Sequence, residues 1–119
     1  MALNVKTTIY PFRVSLRDKA EWDFRMEITN LEQKPSRVLL EIDLPQEVTL
    51  TKASYSTRYE TKFESMKPGE TVSLKLPIFV SRYGGIGEYS GKVRLTEHYG
   101  EYGYVTKSYN REILLKIVP

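Results

Sequence analysis

The single histidine of the sequence is the first place to look for acid–base chemistry. His98 directly follows Glu97 at the predicted end of a strand. Zinc would need two or three further strong ligands, and without cysteine only carboxylates remain to supply them. As a general base, His98 would need a nucleophile such as Ser90 or Ser108 brought close by the fold, with Glu97 orienting the ring. We interpret His98 as a solvated rim residue and predict no catalytic residue, metal or cofactor.

Two other patterns that could support chemistry have simpler structural explanations. Glu41 and Asp43 are two residues apart on the outward face of a predicted strand, where water solvates them, which is unsuited to paired acid–base catalysis. The run 84–87, Gly-Gly-Ile-Gly, resembles a phosphate-binding loop, but that use needs a helix after the glycines. A strand follows here, so we predict a structural turn.

Tyrosines in two glycine-rich connections are the strongest candidates for binding. The four residues of this set are Tyr83, Tyr99, Tyr102 and Tyr104. Tyrosine offers a large contact area at a small entropic cost, which favours recognition. One predicted strand separates Tyr83 from the others, so we expect two locations at opposite ends of the fold. We predict that the hairpin tip 99–104 contacts a protein partner or a glycan.

Length and composition restrict the classes of protein that remain. With 119 residues, 40% of them apolar and 28% charged, the chain is typical of one globular domain spanning 1–119. No apolar run approaches the length of a bilayer span, and the N-terminal segment is unlike a signal peptide. The net charge of +3 comes from interleaved signs, which disfavours a nucleic-acid partner. The absence of cysteine and the abundance of charged residues are typical of thermophilic proteins.

Alternation of apolar and polar residues predicts strands along almost the whole chain. The clearest strand has Trp22, Phe24, Met26 and Ile28 on one face, and Trp22 is expected in the core. Similar alternation runs through 37–44, 71–78, 89–95 and 113–117. No helical crossover is visible between these segments.

Several turns and edges can also be predicted from residue type. Pro68 and Gly69 suit the central positions of a type II turn, and Pro77 indicates an edge position or a bulge. The alternation changes parity near Tyr10 and Pro11, which predicts that the first strand changes register or sheet there. The hydroxyl-rich segment Thr49 to Thr61 is expected to form edge strands.

Seven or eight short strands without helices predict two antiparallel sheets packed face to face. We therefore expect an immunoglobulin-like antiparallel β-sandwich. The alternative is a small closed β-barrel, because alternation alone does not distinguish the two architectures. Tyr89, which enters a late strand, is expected to bury its ring and hydrogen-bond nearby backbone at a corner of the sandwich.

Two segments resemble a known group of domains. The run 66–78, MKPGETVSLKLPI, followed by Gly-Glu-Tyr at 87–89, and the run 22–30, WDFRMEITN, are similar to the turns and strands of cell-adhesion-related (CARDB-like) bacterial and archaeal sandwich domains. The sequence lacks the acidic, asparagine-rich ending of many such domains. The resemblance implies a non-catalytic accessory or adhesion-type module.

Three functional classes follow from these patterns. The first is a binding or structural module that contacts a protein partner, including a second copy, through an edge strand or the 99–104 tip. The second is a carbohydrate- or nucleic-acid-binding surface that combines the tyrosines with Arg82, Lys92 and Arg94. Enzyme is third, since it depends on His98 alone. We expect a protein-binding module without enzymatic activity.

Overall fold

A computed structural model describes residues 3–18, 21–51, 55–98 and 105–119 of the protein. Within these residues the chain forms strands and turns and no helix. The strands are β1 (Leu3–Tyr10), β2 (Arg13–Ser15), β3 (Glu21–Asn30), β4 (Ser36–Asp43), β5 (Val48–Thr49), β6 (Arg58–Met66), β7 (Thr71–Val80), β8 (Gly87–His98) and β9 (Val105–Val118). The described part of the chain contains no helix that is long and apolar enough to span a membrane.

The nine strands divide into two sheets. The first sheet has the order β1-β3-β7-β5 and the second has the order β2-β9-β8-β4-β6. Neighbouring strands are antiparallel throughout, except that β2 runs parallel to β9. The all-β class and the two sheets agree with the expectation. The alternative of a single closed barrel does not agree with the structure, because the described strands form two separate sheets.

The first strand leaves one sheet for the other where the parity change predicted it. β1 pairs with β3 in the first sheet, and β2 pairs with the end of β9 in the second. Only residues 11 and 12 connect the two strands, and the Tyr10–Pro11 peptide bond is cis. The outer edges formed by β1 and β2 therefore lie on the same side of the molecule.

One hydrophobic core lies between the sheets, built from the inward residues of both. The first sheet contributes fully buried side chains such as Trp22 and Ile28, and the second contributes Val38, Leu40 and Leu95. Because side chains of a strand alternate between its faces, every second residue reaches this core. The burial of Trp22, which is 0% exposed, confirms its predicted place in the core.

The predicted turns and edges are also present. Gly69 has φ of 76° and the Glu70 N–H donates to the Lys67 carbonyl at 2.9 Å, as expected at a type II turn with Pro68 in its second position. Both strands within or overlapping 49–61 lie at sheet edges, since β5 ends the first sheet and β6 ends the second. The edge prediction for this segment is therefore confirmed.

The glycine-rich connection before β8 packs closely against backbone. A Cβ at Gly84 would overlap the Val80 side chain and lie 2.7 Å from the Glu47 carbonyl oxygen, whereas a Cβ at Gly85 would meet nothing within 4 Å. The Tyr89 hydroxyl donates to the Gly85 carbonyl at 2.9 Å, and the ring is half-buried, as expected for a tyrosine that holds a corner. These contacts support the interpretation of 84–87 as a structural turn.

We expect Gly84→Ala to lower the free energy of unfolding by about 1–3 kcal/mol, because the added methyl group must displace backbone. Gly85→Ala is the matched control and should change it by less than about 0.5 kcal/mol. Urea denaturation followed by circular dichroism measures both values. Equal losses for the two variants would show that the close approach at Gly84 has no energetic weight.

Candidate functional site

The side of the molecule opposite the β1–β2 connection is incompletely covered by strands. Among the described residues, β5 pairs with β7 at Phe79 and Val80 only. Over 71–78, the flank of β7 that faces away from β3 has no strand neighbour in the described part of the chain. β6 ends the second sheet on this same side. The Leu50 N–H donates to the Ser56 carbonyl at 2.8 Å in the connection between β5 and β6. We call this region the open side.

Apolar side chains are only partly covered along the open side. Val72, Leu74 and Leu76 point from β7 towards the core, but each is half-buried, although Ile78 farther along the strand is 1% exposed. On the second sheet, Tyr59 and Phe63 of β6 are half-buried in the same way, and they also pack against the core. A strand that continued the line of β5 along β7 would cover Val72, Leu74 and Leu76.

Backbone groups along the free flank of β7 point outwards at every second residue. The Asn30 N–H donates to the Glu70 carbonyl on the β3 side at 3.0 Å, and the Ser81 N–H donates to the Glu47 carbonyl on the β5 side at 2.9 Å. Hydrogen-bonding direction alternates along an antiparallel strand, so the odd-numbered residues from Thr71 to Pro77 direct their backbone groups to the open flank. Pro77, predicted at an edge, fits there because a missing N–H on that side breaks no ladder bond.

The outer edge of β6 is defined by the same reasoning. The Leu44 N–H donates to the Thr57 carbonyl at 2.8 Å, so odd-numbered residues of β6 bond to β4. This alternation holds as far as Phe63, after which the register shifts so that Met66 lies opposite Ser36. Arg58, Glu60 and Lys62 therefore direct their backbone groups away from β4. Their charged side chains, and that of Glu64 at the register shift, lie on the outer face of the sheet.

Of the four predicted site tyrosines, only Tyr83 lies within the described residues; Tyr99, Tyr102 and Tyr104 lie outside them. Tyr83 is 50% exposed and precedes the start of β8, at the opposite end of that strand from His98. Its ring packs edge-to-face against Tyr55 with centroids 5.5 Å apart, and the Arg82 guanidinium lies 4.9 Å from the ring centroid. Sequence reasoning missed Tyr55, because its neighbour is distant in the chain.

The expectation of a solvated His98 is wrong. His98 is 8% exposed and Glu97 6%. In the second sheet, Arg37 of β4 and Val105 of β9 lie opposite His98. The Ser36 hydroxyl donates to the Glu97 carboxylate at 2.7 Å. Ser36, Glu97 and His98 line a cleft of about 450 Å³ at this end of the second sheet.

The serine that contacts Glu97 is Ser36, and it is neither of the two serines that the sequence offered as nucleophiles. Ser90 lies eight residues before His98 on the same strand, which corresponds to about 26 Å. Ser108 lies opposite Thr96, next to the end of β8. Ser36 was missed because its contact with Glu97 joins residues 61 positions apart.

The cations considered for anion binding lie among carboxylates. Lys92 is opposite Asp43, and Arg94 is opposite Glu41, on the outer face of the second sheet. Glu41 also accepts a hydrogen bond from Arg58 at 2.8 Å. Positive charge is therefore offset locally on this face, where a phosphate-binding surface would concentrate it.

Comparison with known proteins shows similarity at the level of the fold. No family model matches the sequence, and no curated protein matches it. A solved structure described as a FixG-related protein from Vibrio parahaemolyticus superposes with a TM-score of 0.62 at 11% sequence identity, covering 98% of this chain and 97% of that chain. At this identity the similarity concerns the fold and carries no information about function.

Proposed function

We propose that this protein is an immunoglobulin-like β-sandwich that acts as a non-catalytic binding module. The strand order supports the sandwich assignment, because the first strand divides between the sheets and its second part runs parallel to the last strand. The cell-adhesion-related domains that the sequence resembles have the same kind of role. Function must be argued from a site, and the geometry of the open side supports placing that site there.

The module binds an extended segment of a protein partner along the free flank of β7. The observation that carries this proposal is that β5 covers two residues of β7 and leaves 71–78 without a second neighbour among the described strands. An added strand gains main-chain hydrogen bonds and buries the half-exposed apolar side chains beside it. Both gains are available without any change in the rest of the fold.

The lining of the flank sets the chemistry of the segment. Alternate residues of the partner would face the core beside Leu74 and Leu76, so they should be apolar. The intervening residues would face solvent beside Lys75, whose side chain is 66% exposed and lies 3.8 Å from Asp23. An acidic partner residue at that position is favoured over a basic one.

A non-catalytic role is supported by the contacts of the buried serine. In the serine–histidine arrangement considered from the sequence, the serine hydroxyl donates to the histidine, whereas the Ser36 hydroxyl donates to Glu97. Among the described residues, no three His, Asp or Glu side chains are grouped so that they could hold a metal ion.

The flank is tested with Ser73→Pro. Ser73 directs its N–H to the open flank, so proline there removes a donor from the partner ladder while the bonds to β3 stay, as they do at Pro77. Peptides selected by phage display on the wild-type protein should lose affinity about tenfold or more, because a buried acceptor is left unpaired. Isothermal calorimetry on the selected peptides measures the change.

Ser73→Ala is the matched control, since it removes the same hydroxyl and keeps the N–H. It should bind the selected peptides like wild type, and thermal melts should show that both variants are folded. Peptides without alternating apolar residues, or peptides that bind Ser73→Pro as well as wild type, would contradict the proposal.

Carbohydrate binding is the second candidate, and the exposed Tyr55–Tyr83 pair with its neighbouring Arg82 favours it. Aromatic rings on a loop offer apolar faces to sugars. A glycan panel with the same two Ser73 variants separates the proposals, because sugar binding at Tyr83 does not depend on the β7 flank. Nucleic acid is disfavoured by the carboxylates that face Lys92 and Arg94.

A further inference from the structure

The outer edge of β6 carries charges of alternating sign. In chain order, the charged side chains on the outer face of this strand are Arg58, Glu60, Lys62 and Glu64. Charged side chains at an edge usually discourage pairing with other strands. An edge that only repelled other copies would carry charges of one sign. With alternating signs, the edge is complementary in charge to an identical strand that runs antiparallel to it. The pattern thus points to a partner with the same sequence.

We propose that two copies of this chain associate through β6, antiparallel about a two-fold axis at Thr61. The two five-stranded sheets would then continue into one sheet of ten strands. This interaction is separate from the proposed binding of a partner segment, because it uses the second sheet, whereas the β7 flank belongs to the first. A closed two-fold dimer also covers the exposed edge completely, which ends further growth.

The register follows from backbone direction and charge. With the two-fold axis at Thr61, a residue before Thr61 faces the residue that lies equally far after Thr61 in the second copy. Arg58 therefore faces Glu64 of the second copy, and Glu60 faces its Lys62. Glu60 and Lys62 direct their backbone groups to the edge, so they can exchange hydrogen bonds with each other across the two copies. Four opposite-charge pairs result, two of each kind.

Neighbouring registers are disfavoured by the same charges. Moving one copy by two residues in one direction places Glu60 opposite Glu60 and Arg58 opposite Lys62. Moving it by two residues in the other direction places Lys62 opposite Lys62 and Glu60 opposite Glu64. Like charges directly opposite one another are destabilising, so the charge pattern selects the register centred on Thr61.

The inward face of β6 is compatible with this register. Tyr59 faces Phe63 of the second copy, and Thr61 faces Thr61 of the second copy. Tyr59 and Phe63 are half-buried in the single chain, because they lie at the end of the core. Aromatic pairs across neighbouring strands are among the more favourable ones, so the contact adds apolar burial to the ion pairs.

Charge exchange between Glu60 and Lys62 tests the proposal. Glu60→Lys and Lys62→Glu each place two like-charge pairs in the dimer, so each should raise its dissociation constant about tenfold or more. An equimolar mixture of these two variants should form a 1:1 heterodimer, since every pair at these positions is then opposite in charge. The double variant with both exchanges should form a homodimer again.

Analytical ultracentrifugation at concentrations up to the millimolar range measures all four samples and the wild type. Circular dichroism melts establish that the single variants are folded, and recovery in the mixture excludes misfolding as the cause of dissociation. A wild-type protein that stays monomeric, single variants that dimerise like wild type, or a mixture without heterodimer would each overturn the proposal. None of these results affects peptide binding at Ser73, so the two proposals fail separately.

Discussion

Replacement of Trp22 by alanine is expected to lower the free energy of unfolding by about 3–5 kcal/mol. Trp22 is 0% exposed and lies opposite Ile78 in the ladder between β3 and β7, the two inner strands of the first sheet. Truncation removes its buried apolar surface and leaves a cavity that the surrounding strands fill only in part. Since domains of this size are stable by about 5–15 kcal/mol, the variant should be close to unfolding.

Guanidinium denaturation followed by far-ultraviolet circular dichroism measures this loss, because Trp22 is the sole tryptophan and its fluorescence disappears with it. Phe12→Ala is the matched control: Phe12 is 74% exposed and its loss should change stability by less than about 0.5 kcal/mol. A loss below about 1 kcal/mol for Trp22→Ala would show that Trp22 is not central to the core.

Asn30→Ala should have the next largest effect, a loss of about 3 kcal/mol. Asn30 is 0% exposed, and its Nδ2 donates to the carbonyls of Met66 at 2.8 Å and Lys34 at 3.0 Å. Its Oδ1 accepts the Glu32 N–H at 2.9 Å. One side chain therefore joins the loop after β3 to the end of β6, and alanine leaves polar backbone groups without this partner.

The consequences of Asn30→Ala should extend to the open side. The Asn30 backbone also bonds to Glu70 and Gly69 in the turn that begins β7, so loss of the side chain should loosen that turn. Amide hydrogen exchange should become faster at Val72. Asn4→Ala, at an exposed asparagine of β1, is the control for equilibrium unfolding. An Asn30 variant as stable as the Asn4 variant would contradict the structural role.

Binding at strand edges has a physical basis in this architecture. In a sheet, the backbone groups of the inner strands are hydrogen-bonded to neighbouring strands. The outer flanks of the terminal strands keep backbone donors and acceptors that are hydrated by water and can bond to a partner strand instead. On the open side, these groups lie beside apolar side chains that are already half-exposed. A partner strand there gains hydrogen bonds and burial together, which a flat polar surface does not offer.

Local pattern in the sequence determined the elements and the core of this protein. Alternation identified the strand with Trp22 and the faces that would be buried, because side-chain direction in a strand depends only on position parity. The change of sheet after Tyr10 followed from a change in the parity of the alternation. The turn at Gly69 and the position of Pro77 followed from backbone restrictions of single residues. Each of these properties is encoded within a few neighbouring residues.

Tertiary structure alone decided which strands became neighbours and what their contacts were. The sequence left the register of 49–61 ambiguous. The short length of β5 and the position of the β6 charges on an exposed edge could therefore not be predicted from it. The burial of His98 and the contact of Ser36 with Glu97 join distant segments. Pairing between strands depends on the packing of the whole chain, and parity within one strand carries no information about its neighbour.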